Sequence, residues 1–256
     1  FHLRFFMEDN PALTEETRQR YERAFQGAFY RRFVLGEWTA AEGLVYDFFD
    51  ESLVKEPPAG EAAEWVISCD YGTLNPTSMG LWGEYDGVWY RVKEYYYDAR
   101  EAKRQQTDQE YAQRLRELAG DRDIRAVVAD PSAASFLEVL RREGWPVRKA
   151  KNEVLSGIRL TADALKNGKV VICSPCADAI REFGSYCWDL SDGDKDRVKK
   201  QFDHAMDEMR YFAMSVAAQA AKRRLCLQRS FAVCISTIAP NTVCVWKKWK
   251  STPPLL

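Results

Sequence analysis

Two short apolar runs in this chain close on the same residue type. EWVISCD (64–70) and IRAVVAD (124–130) each end on an aspartate. Runs of this length, rich in Val and Ile and bounded by turn residues, predict buried strands. Between them, TSMGLWGEYDGVWYRVKEYYYD (77–98) alternates on both sides of Asp86-Gly87, a strong two-residue hairpin signal. Helical segments follow at 107–120, with Thr107 or Asp108 as N-cap and Gly120 as the stop, and at 134–145, 153–169 and 176–190. VRKAKN (147–152) and VVICS (170–174) predict short strands between those helices. This order predicts an α/β domain, a mixed central sheet flanked by helices.

Size and charge bound what such a domain does. A chain of 256 residues with 46% hydrophobic and 29% charged residues has ample apolar surface for a core. Its net charge of −1 gives no bulk attraction to nucleic acid, so any such contact has to come from a local patch. The seven cysteines are scattered and odd in number, which suits a reducing compartment better than a disulfide framework. Cys173 and Cys176 form one C-x-x-C, but no second pair or nearby histidine completes a zinc site. The longest apolar stretch (231–246) is broken by Pro240 and Asn241 and falls short of a membrane span, so no membrane partner is expected.

Three regions are expected. Residues 1–58 read as an arm or lead-in, with a helix start at Thr14 and a linker-like EPPAGEAAE (56–64) at its end. Residues 59–221 form the compact domain. Residues 222–256 lack clear periodicity and form an extension. The chain opens on Phe1 rather than Met, as expected of a piece of something longer.

The acids carry the functional question. Ligands of open α/β sheets collect beyond the carboxyl ends of the strands, where Asp70 and Asp130 would stand. The helix in FDHAMDEMRYFAM (202–214) adds Asp203, His204, Asp207 and Glu208 to an otherwise apolar pattern, and residues three and four apart share a face. Gathered carboxylates repel, and need protons or cations to coexist. Hard oxygen donors suit magnesium or manganese, and two such ions clamp the oxygens of an in-line phosphoryl displacement. Ordinary turn chemistry also accounts for an aspartate before Tyr-Gly or before Pro131, and an acidic helix face is commonly a solvated stripe. The residues alone leave both readings open.

CDYGTLNPTSMGL (69–81), VVADPSAASFLEVLRREG (127–144), EVLSGIRLTADALKNGKVVI (153–172) and DHAMDEMRYFAM (203–214) together resemble the nuclease domain of the large terminase subunit of tailed bacteriophages. YRRFVLGEWTAAEGLVYDFF (30–49) is similar to the segment joining that family's motor to its nuclease, so the resemblance spans roughly 8–216. It implies a ribonuclease H-like fold and a metal-dependent endonuclease that cuts concatemeric viral double-stranded DNA during genome packaging. Carried over by position, Asp70, Asp130 and Asp207 are the metal-binding and catalytic acids. His204 is a ligand or proton carrier beside them, and Asp203 is a further metal-binding acid. The implied cofactors are Mg2+ or Mn2+, two ions. The implied partners are double-stranded DNA and, in the full assembly, portal and small terminase subunit, in the cytoplasm of the bacterial host cell. The phosphate loop of the family's ATPase motor, G-x-x-x-x-G-K-[ST] or a variant, is missing from this sequence. No ATP site is therefore expected, and the chain reads as the nuclease half alone.

Backbone contacts are expected from Arg148, Lys149 and Lys151 and from Lys195, Arg197, Lys199 and Lys200, although the acids of SDGDKD offset the second cluster. The alternatives are another ribonuclease H-like enzyme, a junction resolvase or integrase, and a catalytically silent packaging-assembly module. An actin-like ATPase would share the strand-end acids but needs glycine-rich phosphate turns that are missing here.

Overall fold

The computed structural model describes residues 43–73, 75–189 and 197–217. The expected helix at 10–26, most of the lead-in, Lys195 and the extension at 222–256 lie outside the described residues.

A seven-stranded sheet organises the domain, in the order β1-β7-β4-β3-β2-β5-β6. Its strands are β1 (Val54–Lys55), β2 (Glu64–Asp70), β3 (Thr77–Tyr85), β4 (Val88–Tyr97), β5 (Ile124–Ala129), β6 (Val147–Lys149) and β7 (Val170–Cys173). Only β3 runs against its neighbours; the other pairings are parallel. The β3–β4 turn is the one the sequence predicts. Asp86 and Gly87 take φ of 49° and 83°, the left-handed pair that matches the twist of a two-residue hairpin.

Among the described residues, five helices cover the two faces: α1 (Asp108–Ala119), α2 (Ala134–Arg142), α3 (Val154–Lys166), α4 (Ala177–Phe183) and α5 (His204–Phe212), the last running into a π-helical turn, Ala213–Ala217. Helix α1 starts in a full capping box, Thr107 accepting from Glu110 N while the Glu110 carboxylate accepts from Thr107 N. On one face Ile67, Cys69, Val127 and Ala129 pack with Tyr111, Leu115, Phe136 and Leu140 of α1 and α2. On the other, Val66, Trp82, Ala126 and Val128 pack with Ile158, Phe183, Met206, Met209 and Phe212 of α3, α4 and α5. Phe212 stacks on Trp82 with ring centroids 3.8 Å apart.

The two-residue period of a strand decides where the acids go. Val66, Ser68 and Asp70 share one side of β2; Ala126, Val128 and Asp130 share the same side of β5. Both aspartates are thereby carried to the face that α5 covers.

The structure departs from the sequence reading in two places. Residues 44–55, assigned to the lead-in, already pack on the domain. Tyr46 is buried beside Phe183 and Tyr186, and β1 pairs with β7 at the edge of the sheet. EPPAG is thus a surface crossover from an edge strand to the centre, with the Pro-Gly signature of a linker. The helix expected at 176–190 stops at Phe183. Gly184 ends it, and the chain turns so that Tyr186 and Cys187 enter the interior, Cys187 bridging to Leu44.

Candidate active site

Strands β2 and β5 are adjacent and parallel, with Cys69 paired to Ala129. The next residue of each chain segment, Asp70 and Asp130, therefore leaves the sheet at the same edge. Tyr211 of α5 joins them: its hydroxyl lies 2.9 Å from Asp130 Oδ2 and 3.4 Å from Asp70 Oδ1. His204, the first residue of α5, sets Nδ1 2.9 Å from Asp70 Oδ2. Asp70 and Asp130, distant in sequence, thus meet at one phenol, and His204 joins them through Asp70.

Their environments push the two carboxyls apart. Burial raises the Asp70 pKa, opposed by the hydrogen bond from His204. Burial also works on Asp130, but hydrogen bonds from Ser132, Tyr211 and Asn152 outweigh it and hold that carboxyl low. His204 is raised although burial opposes it, because Asp70, Asp203 and Glu182 all favour its cation. Both members of the Asp70–His204 pair thus favour holding a proton. Asp130 also makes the turn its sequence suggested, since Oδ1 accepts from Ser132 N at 2.7 Å. One oxygen serves the turn and the other faces the site.

Asp207 stands one turn along α5 from His204 and is engaged by cations. Lys200 Nζ bridges Asp207 Oδ2 at 3.2 Å and Asp203 Oδ2 at 3.1 Å, and Arg210 Nη2 lies 2.8 Å from Asp207 Oδ1. Arg210 is itself fixed by Asn152 O at 2.6 Å. It passes α3 at Gly157, where a Cβ would fall 2.1 Å from Arg210 Cγ. Asp207 Oδ1 is buried without a hydrogen bond, the Arg210 contact being out of alignment for one. Among the described residues no group of three His, Cys, Asp or Glu side chains stands close enough to hold a metal ion. The donor chemistry nonetheless fits a hard divalent cation: two strand-end carboxylates and a third, paired to Lys200 and Arg210, on the helix that covers them.

Of the expected DNA contacts, Arg148 and Lys149 are exposed on edge strand β6, whose Lys149 pairs with Ala129 next to Asp130. Lys151 is exposed just past that strand, and Arg197, Lys199 and Lys200 are exposed ahead of α5. Lys195 lies outside the described residues. Cys173 and Cys176 are buried free thiols, Cys176 donating to Arg91 O.

The sequence pattern contains Tyr211 and Glu208 but assigns a role to neither. Glu208 is fully buried, accepts from Ser68 and Trp82, and pairs with Arg91 Nη2 at 2.6 Å. Against burial, Glu208 and Glu94 raise the Arg91 pKa well above its ordinary value, and burial raises the Glu208 carboxyl; the two contacts from Arg91 Nε and Nη2 to Glu208 Oε2 are those of an ion pair. The available signal was helical spacing: Tyr211 is four residues from Asp207, and Glu208 four from His204.

A family model for the terminase RNaseH-like domain matches residues 88–216. The chain belongs to this family. The matched stretch of this terminase domain holds Asp130, His204, Asp207 and Tyr211, and Asp70 lies upstream of it. The large terminase of a thermophilic bacteriophage, solved in complex with ADP, is 44% identical with a TM-score of 0.66 over 84% of this chain. The chain spans 55% of the length of that protein. The P22 large terminase nuclease domain shares the fold at 16% identity and a TM-score of 0.56, over 69% of this chain and 93% of its own. The large terminase nuclease of thermophilic phage G20c, solved with bound magnesium, does so at 14% identity and 0.51, over 68% and 98%. No curated protein sequence matches the chain. Among the described residues no helix is long and apolar enough to cross a membrane.

Proposed function

We propose that this terminase domain is a divalent-metal-dependent endonuclease that cuts concatemeric viral double-stranded DNA during genome packaging in the host cytoplasm. The carrying observation is the convergence of Asp70 and Asp130 on the Tyr211 hydroxyl at the carboxyl edge of two adjacent parallel strands. The magnesium of the G20c nuclease supports the choice of ion.

Asp70, Asp130 and Asp207 are the ligands in this reading, with Asp203 beside them. Two Mg2+ or Mn2+ ions, when bound, supply positive charge for the phosphodiester oxygens and acidify water. His204 holds a proton against Asp70 Oδ2 and orients that carboxylate. Tyr211 fixes the spacing of the two strand-end acids. Lys149, Lys151, Arg197, Lys199 and Lys200, with Arg148, supply backbone contacts that carry no sequence information. Portal and small subunit are the assembly partners in this reading.

Plasmid nicking and linearisation with Mg2+ or Mn2+, and their loss in Asp70→Asn, test the proposal. Strong preference for synthetic four-way junctions over supercoiled plasmid would overturn it in favour of a resolvase. The engagement of Asp207 by Lys200 and Arg210 favours a second reading, a catalytically silent assembly module. That reading stands if neither metal supports any cleavage.

A further inference from the structure

Helix α5 begins without the cap its own sequence offers. Asp203 occupies the N-cap position, where an aspartate ordinarily accepts from the second or third helical N–H, yet its side chain makes no such bond. Asp203 Oδ2 faces Lys200 instead. The open N–H groups of the first turn are met from another helix. Glu182 of α4 directs Oε2 at Ala205 N, 2.7 Å away, and at Met206 N, 3.3 Å away, while Oε1 accepts from Tyr96 OH at 2.7 Å.

Glu182 is completely buried. Burying a carboxylate there is costly unless its oxygens are satisfied, and removing it would orphan two helix N–H groups. Helix α4 is in turn anchored. Two amides of its first turn, Asp178 N and Ala179 N, donate to Glu94, which pairs with Arg91, which pairs with Glu208 of α5. Two buried acids therefore hold α5, Glu182 at its first turn and Glu208 at its second, and helix α4, which bears Glu182, is tied to Glu208 through Glu94 and Arg91.

We propose that Glu182 is a positioning residue for the nuclease site: by capping α5 from outside, it leaves the Asp203 carboxylate on Lys200 beside Asp207 and sets His204 against Asp70 Oδ2. An α5 capped by Asp203 itself would turn that carboxylate back onto the helix and out of the site. The inference rests on the nuclease reading above.

Glu182→Gln and Glu182→Ala in the full 256-residue chain test it. Both amides use the same oxygen, so the Gln oxygen can keep them while its amide group meets the Tyr96 hydroxyl. Alanine removes the acceptor. Two measurements are made: amide hydrogen exchange at Ala205 and Met206, and metal-dependent plasmid cleavage resolved into kcat and KM. Glu182→Gln is expected to keep both amides protected and kcat within about threefold of the parent. Glu182→Ala is expected to speed exchange at both amides by about tenfold or more, as a lost cap opens the first turn. Its kcat should fall by about tenfold or more at saturating metal with KM for DNA within about twofold, since misplacement affects the reacting geometry and not DNA binding.

Parental kcat in Glu182→Ala with exposed amides overturns the proposal. So does an inactive Glu182→Gln whose amides stay protected, because charge and not capping would then matter. Should Glu182→Ala fail to fold, Glu182→Gln decides alone: protected and active supports positioning, while protected and inactive, or unprotected and active, overturns it. If the parent cuts no DNA with either metal, the nuclease reading has failed. The exchange measurement then still reports whether Glu182 caps α5, so the two failures are distinguishable.

Discussion

The Tyr211 hydroxyl donates to Asp130 Oδ2 at 2.9 Å, tying helix α5 to the end of β5. The same oxygen stands 3.4 Å from Asp70, so a single phenol spaces both strand-end carboxylates. Tyr211→Phe keeps the ring and deletes only this link. A stability loss of about 1 kcal/mol is expected, the net worth of one hydrogen bond. Metal-dependent cleavage should fall further than this loss accounts for, because the two acids lose their common reference. Thermal unfolding and plasmid cleavage measured on one preparation check it; unchanged cleavage would remove Tyr211 from the site.

Asp130 and Asp207 separate on stability. Asp130 is partly exposed, and the Asn oxygen in its place still accepts from Ser132 N while the Asn amide nitrogen donates to the Tyr211 oxygen. Asp130→Asn should therefore abolish cleavage while costing less than about 1 kcal/mol, as for other partly exposed polar changes. Asp207 balances Lys200 and the buried Arg210. Asp207→Asn leaves Arg210 without its anion and should cost about 2–4 kcal/mol in addition to activity, approaching the penalty of breaking a buried pair. Denaturant unfolding of both variants distinguishes the two, and equal midpoints would show that Arg210 finds its partner elsewhere.

Arg91 is the hinge of the buried network, with its side chain between Glu94 and Glu208, all three largely or fully inaccessible. Arg91→Ala strands two carboxylates in the interior and should destabilise the domain by about 3–5 kcal/mol. Gly80 belongs to the same packing. A Cβ there would stand 2.6 Å from Glu208 Oε1 and 2.7 Å from Arg91 Nε, so Gly80→Ala should cost about 1–3 kcal/mol through overpacking. Urea midpoints test both. A neutral Gly80→Ala would mean that the pair yields more readily than a rigid network does.

The fold is legible because its signals are local. Apolar run length marks β2 and β5, Asp86-Gly87 marks the hairpin, and Thr107 or Asp108 with Gly120 brackets α1. Asp70, Asp130 and His204 are legible because strand ends and helical spacing are visible along the chain. The cation partners of Asp207 are not, because Lys200 and Arg210 reach it through a turn and a helix whose relation depends on packing. Glu182 is invisible for a related reason. It reads as one more acid on an amphipathic helix, and its donors are backbone N–H groups, which leave no mark in the sequence. The pattern also makes the helix that bears it too long, since Gly184 ends it while the apolar spacing continues into Tyr186. EPPAG resembles a boundary because crossovers and linkers share the same Pro and Gly chemistry.

Glu182 gives the domain a pH-dependent stability whose sign can be worked out. Burial pushes its carboxyl from 4.5 to about 7, against the hydrogen bonds from Tyr96, Ala205 and Met206 and the charge of His204. Between those two values the folded chain keeps a proton that the unfolded chain releases, so the folded state binds more protons. Stability from this group is therefore full below pH 4.5, falls as pH rises toward 7, and levels off above. A shift of this size corresponds to a loss on the order of 3 kcal/mol across the window. Gln cannot titrate, so Glu182→Gln should flatten this part of the profile and be relatively more stable at about pH 8 than at about pH 5. Asp70 and His204 titrate nearby with pKa values also raised, and both lose stability in the same direction as pH rises. The slope that vanishes in Glu182→Gln, and not the total slope, is what belongs to Glu182. Urea unfolding of parent and variant from about pH 5 to 8 measures it, and parallel curves would show that Glu182 is ionised throughout.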